Sequence, residues 1–198
     1  HEGGNAAMKA LVFLTTPEPW PEALPDDAPR LLRNLSTTPV ALQEVPDPRP
    51  LADDWLVIDN RLTGICGSDS KQVLMDFEDA ADSMMTAFIS FPQVLGHEVV
   101  GTVGEIGSAV TAVEPGQRVV LNPWLSCAPR GLPLCPACRA GDLSGCWNFT
   151  TGRLSAGIHT GNAVEATGGF AAAVPAHESM VFPGEDVRVI RDASRAQA

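Results

Sequence analysis

The chain has 198 residues and carries 24 acidic against 13 basic side chains, a formal net charge of −11. That balance argues against nucleic acid or an anionic membrane as partner, and no apolar run approaches the length of a membrane span. At 44% hydrophobic residues the chain supports one sizeable core, while 18 glycines, 17 prolines and no tyrosine favour short strands joined by turns over long helices.

Residues His1 to Ala7 read as an expression tag or unstructured leader, because Met8 begins the first apolar run. Met8 to Leu14 is predicted as a buried first strand. Thr16 to Pro29 holds five prolines and several acids, which makes it a surface excursion. Pro39 to Val45 is a second strand ending at Pro46-Asp47-Pro48. Trp55 to Leu62 is a third, with Leu56, Ile58 and Asn60 on one face. Gly64 ends it, and Ile65 to Asp69 turns into a short helix. From Asp76 to Ser90, Ala80, Ala81, Met84, Met85, Phe88 and Ile89 recur at helical spacing. This predicts an amphipathic helix facing the core, or a flap over a pocket, since Met-rich faces adapt to varied ligands.

Val94 to Ile106 reads as a strand region. Its Gly101, Gly104 and Gly107 do not form a dinucleotide loop, because the spacing differs from G-x-G-x-x-G and no helix follows. They are expected to permit curvature or bulges in a small barrel. Glu114-Pro115-Gly116-Gln117 is a turn and Arg118 to Leu121 a short strand. Gly168 to Val174 and Ser179 to Phe182 are predicted late strands, separated by a Pro-containing turn. Residues 188–198 are polar with weak helical character and read as a tail or the start of a linker.

Between these elements lies the most specific signal. Four of the five cysteines fall within twenty residues, as Cys127, Cys135, Cys138 and Cys146. The inner pair is C-x-x-C, and seven residues separate it from each outer cysteine. The segment is rich in proline and glycine, hence a loop. Four thiolates around one Zn²⁺ form a closed tetrahedron, which contributes folding energy and leaves no open position for chemistry. The alternative is two disulfides in a secreted domain. No stretch reads as a secretory signal and the fifth cysteine stands apart, so zinc is favoured, and with it a reduced, cytoplasmic setting. The fifth, Cys66, lies in Gly64-Ile65-Cys66-Gly67-Ser68-Asp69, and Gly96-His97-Glu98 follows 31 residues later. A thiolate and an imidazole from separate segments can supply part of an open zinc site with a carboxylate beside it. By themselves a distant cysteine and histidine are weak signals. The adjoining glycines, the acidic neighbours and the nearby metal loop strengthen them.

In order along the chain, GICGSD, VLGHEVVGTV, PGQRVVLNP, the four-cysteine loop and GGFA resemble the zinc-containing medium-chain alcohol dehydrogenases, from about Met8 to Asp186. The resemblance implies a mainly β fold with short helices (α+β), a GroES-like, partly open β-barrel with a structural-zinc loop, over residues 8–187. It implies that Cys66 and His97 bind catalytic zinc, with Glu98 as a neighbouring or alternative ligand. Asp69 would orient His97 by accepting its other ring N–H, and Ser68 would take the proton from zinc-bound alcohol. Cys127, Cys135, Cys138 and Cys146 would hold structural zinc. The implied reaction is oxidation of an alcohol or polyol by hydride transfer from a zinc alkoxide to NAD or NADP, in an enzyme that is a homo-oligomer at full length. Its substrate would be a small alcohol or carbonyl compound.

Some positions depart from the family pattern. Lys71 stands where many relatives have the histidine that ends the proton relay. The insertion Ala128 to Leu134 (APRGLPL) is expected to bulge out of the zinc loop. Ala172 replaces an acidic or polar residue common after GGFA. No strand–G-x-G-x-x-G–helix unit is present, so the nucleotide-binding domain and the remaining zinc ligand are expected elsewhere. The 198 residues alone are expected to be inactive, with the structural site filled and the catalytic one weak. Trp124 either lines the substrate pocket or packs. Trp147 and Phe149 are read as packing residues, and His159 and His177 as surface histidines. Two other readings are a zinc-free quinone or enone reductase on the same fold, which would not need the thiolates, and a zinc-stabilised, non-enzymatic binding module.

Overall fold

The computed structural model describes residues 7–13, 24–76 and 87–184. The chain is organised as two sheets. A three-stranded sheet has the order β2–β1–β4, from β1 (Ala7–Phe13), β2 (Val40–Pro46) and β4 (Gln93–Val94). A five-stranded sheet has the order β7–β3–β5–β6–β8, from β3 (Trp55–Gly64), β5 (Glu98–Ile106), β6 (Arg118–Leu121), β7 (Ala173–His177) and β8 (Val181–Pro183). Every strand pairing in both is antiparallel. The sheets do not close into a barrel among the described residues. The helices are short: α1 (Arg30–Thr37), α2 (Gly67–Val73) and α3 (Pro136–Arg139). None among the described residues is long and apolar enough to cross a membrane.

The core sits on the five-stranded sheet. Trp55, Leu56, Ile58, Val119, Leu125 and Val174 are among its fully enclosed members. Trp55 to Ile58 are all buried, so β3 is covered on both faces over its first half rather than on one, as its alternation implied. Gly101 of β5 and Gly107, just past its end, allow close backbone approach. A Cβ on Gly101 would run into the Asp59 carbonyl and Ile58, and one on Gly107 into the Asp53 carbonyl. The β3–β5 register shifts between Leu56 and Ile58 and again between Asn60 and Leu62, so the pair is irregular. Gly116 has φ 83°, and Gln117 N–H donates to Glu114 O at 3.1 Å, which closes the predicted Glu114–Gln117 turn.

Other expectations need correction. The strand predicted over Val94 to Ile106 is two strands, because Gly96 takes φ +91° and breaks the extended chain at the site itself. The predicted strand Gly168 to Val174 begins only at Ala173. Before it, Gly168, Gly169 and Phe170 donate N–H bonds of 2.8 Å to the carbonyls of Val94, Gly96 and Leu95. The late turn does not contain the proline. Pro175 pairs with Val57 inside β7, which an edge strand tolerates because no outer neighbour needs its missing N–H. The turn is the 3₁₀ segment Glu178–Met180, and His177 Nδ1 accepts from Ser179 N–H at 3.0 Å at its start. Helix α1 has no counterpart in the sequence reading. Much of the Thr16–Pro29 excursion and of the Met-rich segment, with the leader and the tail, lies outside the described residues. Ala7, assigned to the leader, pairs with Pro46 in β1.

Candidate active site

Two clusters of metal-binding side chains stand out among the described residues. In the first, the sulfurs of Cys127, Cys135, Cys138 and Cys146 lie within 4.8 Å of one another, all buried and none in a disulfide. Cys127 and Cys146 Sγ are 3.6 Å apart. Four sulfurs at the usual Zn–S bond length would be about 3.8 Å apart, so the cage fits one zinc ion. The chain also donates to these sulfurs. Cys135 N–H points at Cys127 Sγ (3.4 Å), Cys138 N–H at Cys135 Sγ (3.5 Å) and Asn148 N–H at Cys146 Sγ (3.4 Å), while the Asn148 amide reaches Cys127 Sγ (3.2 Å). Cys135 caps α3, with Pro136 at its first position. The N–H groups of Cys138 and Trp147 hold the Cys135 thiol down to about 6, whereas burial and the adjoining thiols push Cys146 up to about 12. Four thiols crowded into one site ionise one at a time unless a cation takes their charge.

The second cluster is Cys66, His97 and Glu98, whose ligand atoms also lie within 4.8 Å of one another. Two pieces of backbone assemble it, the turn into α2 and the Gly96-His97-Glu98 entry to β5. Cys66 precedes α2, and its N–H donates to Asp69 Oδ2 at 2.9 Å. His97 follows Gly96, whose N–H donates to Asp69 Oδ1 at 3.3 Å. Glu98 opens β5 opposite Gly64, and its carboxylate fills the space a Cβ on Gly64 would need. The GGFA segment grips the loop from behind. A side chain on Gly96 would strike Phe170, and one on Gly168 would strike the carbonyls of Val94 to Gly96. Thr63 Oγ1 donates to Gly169 O at 2.8 Å, and the Asn60 amide to Ala171 O at 2.7 Å.

Asp69 is buried and ties the Cys66 and His97 loops together through their backbone N–H groups. Its Oδ1 is 3.5 Å from His97 Nδ1, an electrostatic contact rather than an aligned hydrogen bond, and Nδ1 has no hydrogen-bond partner among the described residues. Asp69 nonetheless holds the His97 imidazole above its ordinary range, with burial opposing it. Burial pushes the Asp69 carboxyl up, but His97 and the N–H groups of Cys66 and Gly96 pull it further down. Ser68 Oγ lies 3.5 Å from His97 Nε2, and the Ser68 hydroxyl leads the contacts that lower the Cys66 thiol. A soft thiolate, an imidazole and an optional carboxylate are a donor set suited to zinc.

A family profile described as the alcohol dehydrogenase GroES-like domain matches residues 52–186. The chain belongs to this family. The chain is 32% identical over 152 residues to a probable diacetyl reductase [(R)-acetoin forming] of Saccharomyces cerevisiae, covering 71% of this chain and 34% of that protein. It is 37% identical over 120 residues to an L-threonine 3-dehydrogenase of Saccharopolyspora erythraea, covering 60% and 32% respectively. The chain thus spans about a third of the length of these curated relatives. Among solved structures, a putative zinc-binding dehydrogenase of Sinorhizobium meliloti bound to NADP superposes with TM-score 0.57 at 27% identity, over 90% of this chain and 38% of that one. The cobalt- and zinc-bound alcohol dehydrogenase of Pyrobaculum aerophilum shares the fold, with TM-score 0.58 at 22% identity, over 90% and 41%.

The GroES-like domain also brings residues to the site that the sequence reading missed. His159 is not a surface residue. Its ring lies 4.2 Å from that of His97, centroid to centroid, and burial drives its imidazole down to about 4. Its Nδ1 is 2.8 Å from Thr160 O, which favours the neutral tautomer with the proton on Nδ1. Trp124 pairs with His159 through a backbone bridge and an edge-on ring contact at 6.5 Å, and then meets Phe149 at 6.2 Å. A row of rings therefore runs from His97 to the cysteine cage, where Phe149, Leu132 and Leu143 pack. Only the order of these residues in the chain was visible beforehand, and the register that stacks them was not. His177 is likewise buried rather than exposed, and is bonded through Nε2 to Asp54 (3.1 Å). Trp147 is 70% exposed rather than packed, since its backbone N–H is turned toward Cys135 and its side chain away. Phe149 packs as expected. Lys71 is exposed on α2.

Proposed function

We propose that this chain is the substrate- and zinc-binding domain of a zinc-dependent, NAD(P)-linked alcohol or polyol dehydrogenase. The observation that carries the reading is the meeting of Cys66 with His97 and Glu98 from two separate segments, with Ser68 at 3.5 Å from His97 Nε2. Cys66 and His97 would hold the ion, and Glu98 would be a neighbouring or alternative ligand. Bound zinc would supply Lewis-acid polarisation of the substrate oxygen. Ser68, exposed at the start of α2, accepts the substrate's proton and passes it to solvent. Asp69 keeps the Cys66 and His97 loops in register, and the His159 and Trp124 rings form an apolar wall that excludes water. The four cysteines of the cage would hold a second, structural zinc. The nicotinamide is bound by residues outside these 198, in a cytoplasmic homo-oligomer acting on a small alcohol or carbonyl compound. A non-enzymatic scaffold would need the cage but not the Cys66–Ser68–Asp69–His97–Glu98 set.

Anaerobic cobalt titration followed by absorption tests this reading. The expected result is a first equivalent with strong thiolate charge-transfer bands from the cage. A second, weaker equivalent with a single-thiolate band is lost in Cys66→Ala. A Cys66→Ala protein that binds cobalt as the wild type does would rule out a metal centre at Cys66 and His97.

A further inference from the structure

Arg130 lies inside the insertion between Cys127 and Cys135, the stretch expected to bulge into solvent. It is instead among the most deeply buried side chains of the molecule, 1% exposed. Its guanidinium makes five hydrogen bonds, all to backbone carbonyls. Nε donates to Leu125 O (2.9 Å), Nη1 to Thr151 O (2.9 Å) and Leu154 O (3.0 Å), and Nη2 to Ser155 O (3.1 Å) and Gly157 O (2.7 Å). Every N–H the group owns is thereby used. The return contact is Arg153 N–H to Arg130 O at 3.0 Å, and a Cβ on Gly152 would strike the Arg130 carbonyl. The chain on both sides of the cysteine cage is wrapped around this one cation.

Hydrogen bonding is complete, but the charge is not neutralised. No carboxylate is among the acceptors, and carbonyl dipoles solvate a cation without cancelling it. Buried charges are ordinarily paired or bound to metal. Glu165 is close enough to act on Arg130, yet its two oxygens accept from Ser155 N–H (3.0 Å) and Ser155 Oγ (2.7 Å). The other negative groups whose charge acts on Arg130 are Cys146 and Cys127 of the cage, in whose loop Arg130 lies. A zinc ion with four thiolates carries two net negative charges in a buried site. We propose that Arg130 is the counter-charge of the four-cysteine metal site, a positioning residue that joins the two flanks of the loop and holds a cation beside the thiolates.

The proposal rests on reading the cysteines as a zinc site, and the test separates the two. Zinc affinity is measured by competition with a chromophoric chelator on the wild-type chain and on Arg130→Lys, Arg130→Gln and Glu165→Gln, with thermal midpoints alongside. Failure of the wild type to hold zinc through the four cysteines would overturn the metal site itself. With zinc bound, Arg130→Gln is expected to weaken affinity at least tenfold. Arg130→Lys should stay within about threefold of wild type while losing thermal stability, because lysine keeps the charge and gives up the five-carbonyl fork. Glu165→Gln releases the same loop at Ser155 but leaves the cation, and is expected to bind as wild type does. Arg130→Gln with unchanged affinity, or Arg130→Lys or Glu165→Gln weakened tenfold, would show that charge is not what Arg130 supplies. The last two variants decide the question even where Arg130→Gln does not fold.

Discussion

At Gly168 a single hydrogen atom separates the α-carbon from the carbonyl oxygens of Val94, Leu95 and Gly96. Any side chain there pushes the GGFA segment off the loop that presents His97. Gly168→Ala is therefore expected to cost about 2–3 kcal/mol, read as a lowered urea midpoint, since the opposing atoms are backbone and cannot rotate away. Gly116→Ala is the contrasting case. Its Cβ would point into open space, so only the φ of 83° is penalised, at about 1 kcal/mol. Both glycines were visible in the sequence, but only Gly116 declared its role, because a Pro-Gly turn is written in adjacent residues. Gly168 matters through contacts more than seventy residues away.

The four-cysteine loop is the element whose stability would depend most on the proposed zinc. It holds only the four-residue helix α3, and its cysteines pack with Phe149. Removing the metal with a chelator is expected to lower the thermal midpoint. It should also raise amide hydrogen exchange across residues 127–157 by at least tenfold, while β3 and β5 keep their protection. Uniform loss of protection would mean that the loop and sheet unfold as one unit. The cage was legible because its four cysteines lie within twenty residues, at a spacing that suits a chelate. The insertion was misjudged because Arg130 reads as an ordinary surface cation until the 151–157 segment folds over it. The strands of the two sheets were largely recognisable by their apolar runs. The break at Gly96 and the edge position that admits Pro175 were not, since both depend on which strand lies alongside.

At the scale of the molecule, the loop after the cysteine cage is tied to the β7–β3 edge of the five-stranded sheet by Asp54, Arg153 and His177. Arg153 Nη2 reaches Asp54 at 2.9 Å, and Asp54 reaches His177 Nε2 at 3.1 Å. Burial holds His177 below its usual 6.5, against the pull of Asp54 and with Arg153 adding to the fall and Glu178 opposing it. Burial raises Asp54, but Arg153 and His177 outweigh it and leave the carboxyl below its usual 3.8. Both groups bind protons more readily unfolded than folded. Their contribution to stability is complete above pH 6.5 and is lost as pH falls, first through His177 and then through Asp54. The thermal midpoint is expected to fall on acidification from pH 7 to 5, with a shallower slope in His177→Asn; an equal slope in the variant would exclude His177 as its source. From the sequence alone came the acidic, strand-rich character, the thiol cage, the turn at Gly116 and the set of residue types at Cys66 and His97, all carried by local spacing and short motifs. The tertiary structure decided what no spacing encodes. The β3–β5 register lays Glu98 over Gly64, the GGFA clamp aims His97 at Cys66, and the loop after the cage sets His159 on His97 and closes over Arg130. These contacts join segments up to a hundred residues apart, and their geometry is fixed by sheet pairing and burial, which act only once the chain has folded.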